Sequence, residues 1–117
     1  MKPWSAKELG DMPPLCGVTK VEAGGFVWHL RPMGSLTKDR LITKYRTFEN
    51  DPEQIAGITA EMVLACLCEA DGTRIQLDDK QAAQFKEIDC TLLEQLAERA
   101  QQISGFGDGA SRAAEKN

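Results

Sequence analysis

Asp51-Pro-Glu-Gln-Ile-Ala-Gly-Ile-Thr-Ala-Glu-Met-Val-Leu-Ala-Cys-Leu-Cys-Glu-Ala-Asp-Gly72 is the stretch whose reading decides the fold. Asp51 can accept a bond from an orphan backbone N–H, Pro52 suits the first helical position, and Gln54 stands where a capping box wants it. Ile55, Ile58 and Met62 form one stripe, which Val63, Leu64, Cys66 and Leu67 then widen until little of the circumference is polar. A helix apolar on most sides is a buried one. The stretch therefore predicts a central helix over 52–70, with Asp71-Gly72 as its left-handed stop.

Upstream, Pro32 and Gly34 close a strand and Ser35 is positioned to cap a helix over 35–49. Leu41, Tyr45 and Phe48 line one side of it with Ile42 at the margin, while Arg40 and Lys44 share another side, so the helix is amphipathic and basic. Earlier still, Val18–Glu22 and Phe26–Arg31 are two β-prone runs around Ala23-Gly-Gly25, which predicts a hairpin over 18–31. Phe26, Trp28 and Leu30 alternate with Val27, His29 and Arg31, giving one strongly apolar face that other elements must cover. Residues 1–16, broken by four Pro and Gly residues, read as a flexible lead-in.

Downstream, Thr73–Leu77 is a short mixed connector. Asp78, with Gln81 at the capping-box position, opens a helix over 79–88 that turns Ala82, Phe85 and Ile88 inward. Asp89 or Thr91 opens the last helix, 91–104, where Leu92, Leu96, Ala100 and Ile103 recur at helical spacing beside Leu93 and Ala97. From Gly105 to Asn117 the chain is small and glycine-rich and reads as a flexible tail. The sum is an α+β fold, mainly α, in which an N-terminal β-hairpin packs on about four helices within a single domain spanning 17–104.

A chain of 117 residues, 42% apolar and 27% charged, has the composition of one ordinary globular domain. No run is long and apolar enough for a membrane span, and the N-terminal residues lack the apolar segment of a secretory signal, so an intracellular, soluble protein is expected. Cys16, Cys66, Cys68 and Cys90 follow no disulfide framework and read as free, mostly buried thiols. Residues 1–50 carry eight Lys/Arg against five Asp/Glu and residues 51–117 six against thirteen, a split of +3 and -7 within the net -4. Such polarity suits self-association or simply a solvated surface.

No residue set compels a chemistry. Cys66, Cys68, Cys90 and His29 are zinc-type ligands, but residues two apart on a helix point about 200° apart, so the cysteines read as packing and no metal is expected. His29 is the only histidine and has no partner fixed by spacing. Gly105-Phe-Gly-Asp-Gly109 follows a helix instead of opening one and lacks the phosphate-loop lysine. Glu69, Asp71, Asp78 and Asp79 lack the calcium-loop pattern and read as helix stop and caps. Lys38, Arg40, Lys44 and Arg46 on an acidic protein read as a solvated or protein-docking face, with no nucleic acid as ligand. No cofactor and no catalytic residue is assigned, and a non-enzymatic interaction domain is expected.

Taken as an ordered set, Gly25-Phe-Val-Trp-His-Leu-Arg-Pro-Met33, Ala65-Cys-Leu-Cys-Glu-Ala-Asp-Gly72, Ile103-Ser-Gly105 and a small-residue tail ending Glu115-Lys-Asn117 resemble the tail assembly chaperones of long-tailed phages and prophages. The similarity spans residues 18–117, with Ile75-Gln-Leu77 where the family often has Leu-Phe. It implies a protein that binds the tape-measure protein, keeps it soluble, helps recruit tail-tube subunits in the host cytoplasm, and is missing from the mature virion. A client helix would be met in an apolar groove through its i, i+3, i+4 and i+7 anchors. Arg40 and Lys44 on the first helix, joined by Trp28 where its ring is not buried, are the expected protein-binding residues. The competing readings are a neck or tail subunit retained in the particle and a small cytoplasmic regulator.

Overall fold

Gly24 and Gly25, at φ 59° and 80°, make a two-residue turn with both central residues left-handed, the geometry that matches the natural twist of a hairpin. It joins β1 (Thr19–Ala23) to β2 (Phe26–Leu30) in an antiparallel register that sets Val21 opposite Trp28. Four helices follow: α1 (Ser35–Thr47), α2 (Pro52–Cys66), α3 (Asp79–Lys86) and α4 (Cys90–Ile103). The computed structural model describes residues 3, 5–7 and 17–106. The predicted lead-in over 1–16 and tail over 105–117 fall almost wholly outside the described residues. Within these, the chain is α+β and mainly helical, as its sequence predicts.

The central helix is shorter than its apolar run. α2 stops at Cys66, and Leu67–Cys68 form a third strand, β3, pairing antiparallel with β2 so that Leu30 meets Leu67 and His29 meets Cys68. The predicted hairpin is present as β1 and β2, and β3 extends it to three strands in the order β1-β2-β3. Asp71-Gly72 is accordingly no helix stop. Gly72 at φ 92° turns the chain between Cys68 and Arg74, which form an isolated bridge, while Glu69 N–H bonds Thr73 O at 2.8 Å. The left-handed glycine is where the sequence puts it, but it serves a β-turn. Asp71 Oδ1 accepts from Thr73 N–H at 2.9 Å, which holds its carboxyl below the usual carboxylate range.

Caps set the other boundaries. Asp51 accepts from Gln54 N–H, Asp78 and Gln81 bond reciprocally, and Asp89 accepts from Thr91 and Leu92, so Asp89 and not Thr91 opens α4. α1 differs: its N-cap is Gly34, without a side-chain bond, and Ser35 is already its first residue. Burial is continuous from the sheet into the helices. Leu30, Leu41, Ile58, Cys66 and Leu67 form one cluster; Ala60, Val63, Phe85, Leu96 and Ala97 form another, and Trp28 and Leu64 touch both. Tyr45, predicted to line the inner side of α1, is half exposed, because α1 meets α2 mainly through Leu41.

Candidate interaction surface

Two arginines shape the ground around the β2–α1 connection. Arg31, next after β2, donates from Nη1 to Gly72 O at 2.9 Å. Arg74 donates from Nη1 to Ala65 O and from Nη2 to Pro32 O, the latter at 2.9 Å. Each guanidinium thus ties a strand or helix end to a loop far away in sequence. Burial, reinforced by neighbouring Arg31, lowers the Arg74 pKa from its ordinary value. These ties hold the 72–76 segment against the end of α2, and one wall of a groove results.

That open groove, about 530 Å³, lies between α1, the second half of α2 and residues 74–76. Leu41, Leu64, Ala65 and Ile75 supply its apolar lining, and Arg40 and Glu61 stand among its polar groups. Arg40 is exposed and belongs to the groove as a charged side chain open to a partner. Lys44 has another role: its Nζ meets Glu61 Oε1 at 2.9 Å with both side chains about one-third exposed, clasping α1 to α2. Leu36 on the first turn of α1 is 79% exposed, an apolar side chain left in water on the helix that borders the groove.

Trp28 is not part of this surface. Its Nε1–H donates to Ala23 O at 2.9 Å across its own hairpin, and its ring stands edge-on to Phe26 and Phe85 at 6.2 and 6.5 Å between centroids. It fastens the sheet to α3, and its half-burial follows from that packing. Among the three predicted binding residues, the structure puts Arg40 in the groove, Lys44 in an ion pair beside it, and Trp28 in the sheet–α3 packing. Among the described residues the more open aromatics are Phe26, 68% exposed at the hairpin tip, and Tyr45 on α1. Strand alternation assigns Phe26 to the apolar face, yet it is left mostly in solvent, with its ring edge-on to Trp28.

The cysteines read as packing for a different reason from helical geometry. The helix does break between Cys66 and Cys68, yet both are buried and burial raises both thiol pKa values; Ser104 on Cys66 and Arg31 on Cys68 oppose the rise only in part. Among the described residues no three His, Cys, Asp or Glu side chains are placed to share a metal ion. Ser104, quoted in the sequence only within the Ile103-Ser-Gly105 segment and given no role there, is the buried polar residue of this region: its Oγ accepts from Met33 N–H at 3.2 Å and shares a bond with Cys66 Sγ at 3.4 Å. Among the described residues no helix is long and apolar enough to cross a membrane. No family model, no curated protein and no solved structure matches this chain.

Proposed function

We propose that this protein is a non-enzymatic assembly chaperone for long-tailed phage tails, holding a helical segment of the tape-measure protein and helping to bring tail-tube subunits to it in the host cytoplasm. The observation that carries the reading is the apolar groove of Leu41, Leu64, Ala65 and Ile75, bordered by Arg40, with exposed Leu36 on the same helix α1. A groove of this kind suits the apolar stripe of an amphipathic helix, with the charged rim setting its direction. The sequence resemblance over Gly25–Met33 and Ala65–Gly72 supports the same reading, since these segments carry Arg31, Pro32, Ala65 and Gly72, which anchor the groove wall.

The test is co-expression with the product of a neighbouring long, helix-rich reading frame. The wild-type chain is expected to keep that product soluble, and Leu36→Ser with Arg40→Glu, both at exposed positions, to lose the effect while remaining folded by circular dichroism. An insoluble client beside wild-type chain defeats the proposal. Stoichiometric presence of the chain in purified tails would instead favour a structural neck or tail subunit, and salt-dependent binding to DNA a regulator.

A further inference from the structure

We propose that the outer edge of β1 pairs with β1 of a second copy of this chain, in a two-fold antiparallel register centred on Val21, to give a six-stranded sheet β3-β2-β1-β1′-β2′-β3′. The inference does not depend on the chaperone reading.

The phase of the hydrogen-bond ladder supplies the first part. Arg31 N–H donates to Cys66 O at 2.8 Å, on the β3 side of β2. Backbone groups alternate sides along a strand, so Val27, His29 and Arg31 face β3, while Phe26, Trp28 and Leu30 face β1. Their partners Ala23, Val21 and Thr19 spend their N–H and C=O on β2. The two-residue turn between Ala23 and Phe26 demands the same phase independently. Lys20 and Glu22 are left pointing their backbone groups away from β2, and among the described residues β1 pairs with β2 alone.

A two-fold axis through Val21 sets Lys20 opposite Glu22 of the partner copy, and Glu22 opposite its Lys20. This register brings outward backbone groups face to face, and the two opposed pairs can exchange four hydrogen bonds. It also lays each ammonium beside a carboxylate on the solvent face. Lys20 and Glu22 are well exposed, at 63% and 76%, and touch one another only weakly at 3.9 Å. A lone lysine on an edge discourages pairing. Lysine and glutamate two residues apart are self-complementary in this register, and opposite charges directly across a ladder favour it.

Among the described residues there is space for the strand. A cleft of about 500 Å³ runs beside β1 between Lys20–Ala23 and the Gln95, Glu98, Arg99 and Gln102 side chains of α4. That wall is polar throughout, so an entering strand meets donors and acceptors there, while Val21, half-buried in one copy, gains the Val21 of the other as a neighbour.

Sedimentation equilibrium over a wide concentration range tests the pairing. The expected result is a monomer–dimer equilibrium that Lys20→Glu weakens roughly tenfold, by setting like charges opposite one another twice per dimer. The exchange Lys20→Glu with Glu22→Lys should restore it. Lys20→Pro removes an N–H that points outward, which an edge strand tolerates, and should weaken association by roughly thirtyfold through two lost bonds per dimer. A chain that stays monomeric at every concentration overturns the proposal, as does a dimer indifferent to these changes or one the exchange does not restore. If Lys20→Pro fails to fold, the charge variants, which leave the backbone intact, decide.

Discussion

Ser104→Ala removes one oxygen from the place where the end of α4 meets the end of α2 and the approach to α1. Ser104 is 8% exposed and Met33 7%, so no water replaces the hydroxyl that Met33 N–H donates to across 71 residues of chain. A buried donor stripped of its partner costs about 1–3 kcal/mol, and the lost contact with the Cys66 thiol adds a smaller amount. With a urea dependence of roughly 2 kcal/mol per molar for a chain of this size, a loss near 2 kcal/mol lowers the unfolding midpoint by about 1 M.

Urea titration followed by far-ultraviolet circular dichroism measures this, and Ser35→Ala supplies a control with its own information. Read from sequence, Ser35 is the cap of α1, and its loss should cost about 1 kcal/mol. In the structure it is the exposed first residue of a helix capped by Gly34, so its loss should cost almost nothing. The reasoning is refuted if Ser104→Ala shifts the midpoint no further than Ser35→Ala, because Met33 N–H then has no need of Ser104.

Four further outcomes rest on the same physics. Asp78→Ala, which breaks the reciprocal bonds with Gln81, should destabilise the fold by about 1 kcal/mol in the same titration, and Gln81→Ala by less. Gly24→Ala should cost more than Gly25→Ala: both residues are left-handed, but a Cβ at Gly24 would stand 3.0 Å from two Leu92 methyl carbons, whereas one at Gly25 meets nothing within 4 Å, and thermal unfolding of the pair reads the difference. Alkylation mapped by peptide mass spectrometry should mark exposed Cys90 at neutral pH and reach buried Cys66 and Cys68 only on unfolding. Since burial raises their pKa values, the fold favours the protonated thiols; that stability is present below the ordinary value of 9.0 and lost as pH rises through the raised one, so urea midpoints should fall on the alkaline side.

The parts legible in the sequence are those whose cause lies within a turn of chain. Asp51, Asp78 with Gln81, and Asp89 sit next to the orphan N–H groups they satisfy, and the glycine pair at 24–25 makes its own turn, so residue type and spacing suffice for them. The end of α2 is different. Val63–Cys68 is an unbroken apolar run, and periodicity cannot separate a buried helical turn from a short buried strand. What ends the helix at Cys66 is remote: the open side of β2 offers its backbone to Leu67–Cys68, and Arg74 takes up Ala65 O near the helix end. The same distance effect explains Trp28, Lys44 and Ser104. Composition marks Trp28 and Lys44 as surface-capable, but only the folded chain places Phe85 beside the one and Glu61 beside the other, and a serine at a helix end is ordinary until Met33 arrives above it. Arg40 is the one of the three predicted binding residues that the fold leaves exposed, on the groove's rim, and helical spacing already set it on the basic side of α1. A side chain that the fold leaves in solvent is legible from helical spacing, whereas Arg74, which the fold claims through two carbonyls, builds the groove wall without leaving any periodic mark.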